Sequence, residues 1–180
     1  MIQNNGWEIK ETEMDLDGAF VDTPIKGKAD LVMQRGDELV VVDLKWRGAS
    51  FRERIIRNEE DLQLVTYSKL LKEDKNWAHT AYFIIENGKM IARNNLAFRE
   101  VIAVAPDSDH LQINKEIWQR MQQTFHWRMK QLSAGQIEIR TEQTLPDLED
   151  AYAHQLMDLL EMKDKDAPFD DYRTLINLVE

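Results

Sequence analysis

The chain contains no cysteine in its 180 residues. That absence excludes disulfides, thiolate-bound zinc, an iron–sulfur cluster and a cysteine nucleophile, and it suits a reducing compartment. No apolar run approaches the roughly 20 residues needed to cross a bilayer, and the N-terminus lacks a signal-peptide pattern. A cytoplasmic location without a membrane partner is therefore expected. Histidine is scarce and scattered: His79, His110, His126 and His154 form no evident metal motif. Internal repeats and low-complexity segments are lacking as well.

What is present reads as a globular domain. Apolar residues make up 43% of the chain and charged residues 31%, and the length suits one domain with a real core. A formal net charge of −10 argues at first against a polyanionic partner. The charge is uneven, however. Between residues 45 and 57, Lys45, Arg47, Arg52, Arg54 and Arg57 face a single acid, Glu53. From residue 136 to the end, twelve acids outnumber four bases. The acidity belongs mainly to the tail, where "EMKDKDAPFDD" reads as a solvated linker, and a local basic strip remains for a phosphate backbone.

Periodicity and turn signals give an order of strands, helix, strands and helices. "WEIKETEMDL" alternates as a strand and leads to a turn near Asp17-Gly18. "PIKGKADLVM" and "ELVVVDLKW" form a hairpin about Gly36-Asp37. "GASFRERIIR" is a loop with helical character, and Asn58 is expected to cap a helix over "EEDLQLVTYSKLLKE". "HTAYFIIE" and "KMIARN" flank a two-residue turn at Asn87-Gly88, and "FREVIAVA" is a further strand. A long helix is expected over about Asn114 to Leu132 and a shorter one over about Leu148 to Met162. Trp118, Phe125 and Trp127 on the long helix read as a core stripe, and His126 as a surface histidine. The whole is an α/β domain with a mixed or largely antiparallel sheet. Its core spans residues 7–105 and its C-terminal helical part residues 111–180.

The hairpin carries the chemistry. With Gly36 and Asp37 central in the turn, Asp30 falls opposite Asp43, with Cβ atoms roughly 4.5–5.5 Å apart. Facing carboxylates repel, and a Mg²⁺ or Mn²⁺ ion between them would compensate. Strand alternation puts Lys45 on the face of Asp43, where an ammonium can orient a water or neutralise charge on a phosphate. Val40, Val42, Leu44 and Trp46 line the other face. Gly27 leaves room for a substrate backbone. On the following helix, Gln63 and Tyr67 are four residues apart and share a side.

Gly27-x-x-Asp30, Asp43-x-Lys45 and Gln63-x-x-x-Tyr67, in this order, resemble the PD-(D/E)xK nuclease superfamily, and most closely its RecB-like exonuclease branch. The motif-bearing match runs from about Trp7 to Leu71. The resemblance implies a restriction-endonuclease-like mixed sheet flanked by helices, with C-terminal helices. It implies a metal-dependent nuclease acting on DNA in repair or recombination. Asp30 and Asp43 would then be metal-binding acids, with the Leu44 carbonyl as a backbone ligand and Lys45 as the catalytic lysine. Gln63 and Tyr67 would position site and DNA, with Gly27 and Arg47 beside the substrate. Glu11 or Glu13 stands where relatives often carry a glutamate.

RecB-like members usually begin with a helix, often bearing a metal-contacting histidine. Only six residues precede Trp7, none of them histidine, so the chain is expected either to be the later part of a larger nuclease or to lack that ligand. A helicase domain or subunit is the partner such membership suggests. The rival reading is a non-catalytic DNA-binding or scaffold domain on the same fold. A third is an interaction domain acting through its acidic tail.

Overall fold

A computed structural model describes residues 2–71 and 77–136. The expected helix over 148–162 and the acidic tail lie outside these residues. The chain divides into two compact units, residues 1–118 and 119–180.

The first unit holds a six-stranded mixed sheet in simple sequence order. β1 (Glu8–Phe20), β2 (Thr23–Arg35) and β3 (Glu38–Lys45) form an antiparallel meander. β4 (His79–Ile84) runs parallel to β3, which it reaches by way of α1 (Ala49–Arg57) and α2 (Leu62–Leu71). β5 (Lys89–Ala92) pairs antiparallel with β4, and the two-residue β6 (Ile102–Ala103) lies parallel to β5. Val40, Val41 and Val42 are all buried, as a strand covered on both faces requires. One face packs Trp7, Met33, Val40, Val42, Met90 and Phe98. The other holds Leu16, Ala29, Val32 and Val41 with Tyr67 and Leu70 of α2, beside a cluster of Ile55, Ile56, Leu64, Tyr82 and Ile91.

Several expected boundaries move for local reasons. β1 does not turn at Asp17-Gly18 but runs on to Phe20, and the turn falls at Val21 and Asp22, both with positive φ. Gly18 serves packing instead: a Cβ there would collide with Leu70 of α2. Asn58 does not open the second helix. It closes α1, its N–H donating to the Arg54 carbonyl at 2.9 Å, and Glu59 follows at φ 58°. That left-handed residue ends the helix, and α2 starts only at Leu62. Between β4 and β5 a 3-10 turn over Ile85–Asn87 precedes Gly88, in place of a two-residue turn.

α3 (His110–Ser133) begins a turn earlier than expected because Asp109 caps it. The Asp109 carboxylate accepts from the N–H groups of Leu111 (3.0 Å) and Gln112 (3.2 Å). Trp118 is buried edge-on against Phe20 and Trp77, the core role expected of it. In the second unit, the described end of α3 carries an exposed His126, and the turn that follows Ser133 contains Gly135 (φ 73°). Among the described residues no helix is long and apolar enough to cross a membrane.

Candidate active site

The β2–β3 register is the one the Gly36-Asp37 turn predicts, from Arg35 opposite Glu38 to Leu31 opposite Val42. The next pair would be Asp30 with Asp43, but Asp30 leaves the ladder. On its other side the register with β1 steps from Thr12–Leu31 to Met14–Ala29, omitting Asp30 and Glu13, whose φ is 54°. Leu31 and Met33 belong to one face of the sheet, and Ala29 and Val32 to the other, so the alternation inverts at Asp30. The two acids therefore do not meet as an ordinary cross-strand pair. The Asp30 carboxylate instead accepts the Leu44 N–H at 2.7 Å, a charge-assisted bond that anchors it beside the end of β3.

Asp43 is 2% exposed. Burial pushes its carboxyl above the usual range; the Lys45 ammonium opposes that shift and the Asp30 charge adds to it. Lys45 Nζ lies 2.6 Å from Asp43 Oδ2. This short ion pair engages the buried Oδ2 and offsets part of the cost of its burial. Lys45 also donates to Gln63 Oε1 at 3.4 Å, and Gln63 Nε2 donates to the Tyr67 hydroxyl at 3.0 Å. The helical pair thus faces the end of β3. Gly27 lets it do so: a Cβ there would come within 2.9 Å of Tyr67 Cε1, so the Tyr67 ring occupies the space the glycine leaves.

Other expectations need correction. The face shared by Val40 and Val42 is not buried to its end: Leu44 is 39% exposed and Trp46, just past the end of β3, 69%. Arg47, in the loop after Trp46, is exposed. Of the two glutamates, Glu13 stands level with Asp30, but its carboxylate lies 3.8 Å from Lys28 Nζ on the surface. An apolar groove of about 1090 Å³, lined by Trp7, Leu31, Val42, Leu44 and Phe83 among others, reaches Leu44 but none of Asp30, Asp43 and Lys45.

Among the described residues, no group of three or more acids and histidines is arranged to hold a metal. Two carboxylates remain, one of them buried against the Lys45 ammonium. That donor set fits Mg²⁺ or Mn²⁺, which are held by one or two carboxylates and otherwise keep water and substrate oxygens. His79 and His110 do not contribute. They stack on each other at 4.7 Å near the start of β4, level with Val40.

Two features were not legible in the sequence. Arg52 of α1 lies over the rings of Phe51 (4.9 Å) and Tyr82 (5.2 Å), and Tyr82 is the β4 neighbour of Asp43. Asp61 and Arg93, 2% and 6% exposed, form a 2.6 Å ion pair. Burial pushes the Asp61 carboxyl upward, against the pull of the guanidinium. In sequence Asp61 looks like one acid of a surface run, and Arg93 like the polar end of "KMIAR".

Comparison with known proteins gives one positive finding. The family model for the PD-(D/E)XK nuclease superfamily matches residues 2–173. A search of curated proteins found no match. The mixed six-stranded sheet and the three α-helices of the described residues are consistent with a restriction-endonuclease-like fold.

Proposed function

The chain belongs to the PD-(D/E)XK nuclease superfamily, and we propose that it is a metal-dependent deoxyribonuclease of the RecB-like exonuclease type, hydrolysing phosphodiester bonds in DNA repair or recombination. The observation that carries this reading is the contact chain from Asp43 through Lys45 and Gln63 to Tyr67. A DxK strand and a QxxxY helix meet side chain to side chain, which unrelated surface residues would have no reason to do.

Asp30 and Asp43, with the carbonyl of Leu44, would hold Mg²⁺ or Mn²⁺. Such an ion supplies an acidified water and charge stabilisation at the phosphate. Asp30 is anchored by the Leu44 N–H, so its carboxylate is set in place before substrate arrives. Lys45 partly neutralises Asp43 while the site is empty of substrate, and its ammonium turns to the negative charge that develops on the reacting phosphate. Gln63 limits where that ammonium can go, and the Tyr67 hydroxyl steers the strand. Arg47 and the basic strip of α1 attract the backbone against the net charge of the chain. The partners are DNA and, in repair, a helicase domain or subunit.

The test is cleavage of labelled single- and double-stranded oligonucleotides with Mg²⁺, Mn²⁺ or chelator. Wild type should cut only with metal, and Asp43→Ala should not cut. Lys45→Ala should lose at least about 100-fold in rate with DNA affinity nearly kept, because affinity is spread over many phosphates. Metal-independent cleavage, or equal rates in wild type and Asp43→Ala, would refute the assignment. Salt-dependent DNA binding without any cleavage would favour the non-catalytic alternative.

A further inference from the structure

The buried Asp61–Arg93 pair sits where it can govern the site without touching substrate. Arg93 Nη2 donates to Asp61 Oδ1 at 2.6 Å, and Nη1 donates to the Ile56 carbonyl at 3.0 Å. Ile56 lies in the last turn of α1, and Asp61 is the residue before α2. The Asp61 carbonyl accepts from the Val65 N–H (3.1 Å), closing the first turn of α2. One guanidinium, on the residue that follows β5, thus holds the end of one helix and the start of the next. The first turn of α2 carries Gln63, two residues after Asp61, and Gln63 contacts Lys45.

Stability alone does not account for such a pair. Desolvating two charges is costly, and apolar residues of similar volume often serve a core as well or better. What an ion pair with two fixed directions provides is orientation. The segment it fixes needs orienting, since Asn58 to Asp61 has no regular structure and Glu59 has positive φ.

We propose that Asp61 and Arg93 are positioning residues, setting the α1–α2 junction so that Gln63 holds the Lys45 ammonium beside Asp43. This rests on the nuclease reading only where turnover is measured. The pair lies outside Asp30, Asp43-x-Lys45 and Gln63-x-x-x-Tyr67 and reaches the reaction through two other side chains.

The experiment replaces the pair by apolar residues, Asp61→Leu with Arg93→Met, so that no buried charge is left alone. Three quantities are read in each full-length protein: thermal stability, kcat and KM with Mg²⁺, and the side-chain amide signals of Gln63 by NMR. The double variant should keep the melting temperature of wild type while kcat falls roughly 10- to 100-fold, with KM within about twofold. In a Gln63→Ala background the same double change should cost no further rate, because the path runs through Gln63. The Gln63 amide signals should shift or broaden in the double variant whether or not the protein turns over. Unchanged Gln63 signals would overturn the proposal, as would wild-type kcat in the double variant or an equal loss in the Gln63→Ala background. If wild type does not cleave, the nuclease reading fails by itself, and the amide signals still decide the positioning role.

Discussion

At the residue scale, Asp43 is a carboxylate that the fold holds against its own preference. Its folded pKa is raised, chiefly by burial, so the native state retains this proton at pH values where the unfolded chain has lost it. Stability from this group is therefore present at low pH and is lost as pH rises from about 3.8 through the raised folded value. Above that value the full penalty of a buried charge persists, offset in part by Lys45. Asp43→Asn should accordingly melt at a higher temperature than wild type in metal-free buffer at neutral pH, and the gap should close in acid. Mg²⁺ should raise the melting temperature of wild type and leave Asp43→Asn unmoved. A lower melting temperature for the asparagine variant in chelator at pH 7 would mean that the Lys45 contact outweighs the burial. The sequence singles out Asp43 and Lys45 because charges in an apolar strand stand out. It misjudged Asp30, whose place depends on where a ladder breaks rather than on alternation.

At the scale of elements, the site depends on how closely α2 lies on the sheet. Gly18 and Gly27 make that approach possible, one beneath Leu70 and one beneath Tyr67. Gly27→Ala should destabilise the fold by about 1–3 kcal/mol in urea denaturation, as overpacking does. Tyr67→Ala should recover part of that loss in the double variant, since the clash is with this ring; additive losses would show that strand conformation, not the ring, is the cause. The α1–α2 junction responds differently. Asp61→Asn leaves the Arg93 charge buried without its counter-ion and should cost about 3–5 kcal/mol, whereas the paired apolar replacement should be near neutral. Equal losses for the two variants would place the cost in packing. Helix α2 itself was legible from its periodicity, but its start was not. Asn58 is a good N-cap residue by type, and only the left-handed Glu59 after it shows that it ends a helix.

At the scale of the whole molecule, a second pH response opposes that of Asp43. Burial, with the nearby His79 charge, pushes His110 down to about 4. The unfolded chain takes up this proton first, near pH 6.5, so stability is complete above that value and is lost as pH falls toward 4. His79 on β4, stacked on His110 at the start of α3, links the acid response to the sheet. His110→Phe should flatten the acid limb of stability measured by urea denaturation between pH 7.5 and 5. A limb as steep as that of wild type would assign it to other groups. The net charge of −10 acts over the same scale, leaving the bases between residues 45 and 57 as the local exception through which a polyanion can approach.

The sequence by itself determined the order of strands and helices and the β2–β3 register. These follow from periods of two and 3.6 and from turn residues, which act over a few neighbours in the chain. It also determined that α2 turns Gln63 and Tyr67 to one side, because a helix has only one way to do so. Only the tertiary structure decided where Asp30 leaves its ladder, which strand glycines admit a helix, and that Asp61 and Arg93, 32 residues apart, neutralise each other in the core. Each of these depends on what arrives from elsewhere in the chain: a carboxylate is a surface group or a buried partner according to the cation across from it, and no local pattern records that cation.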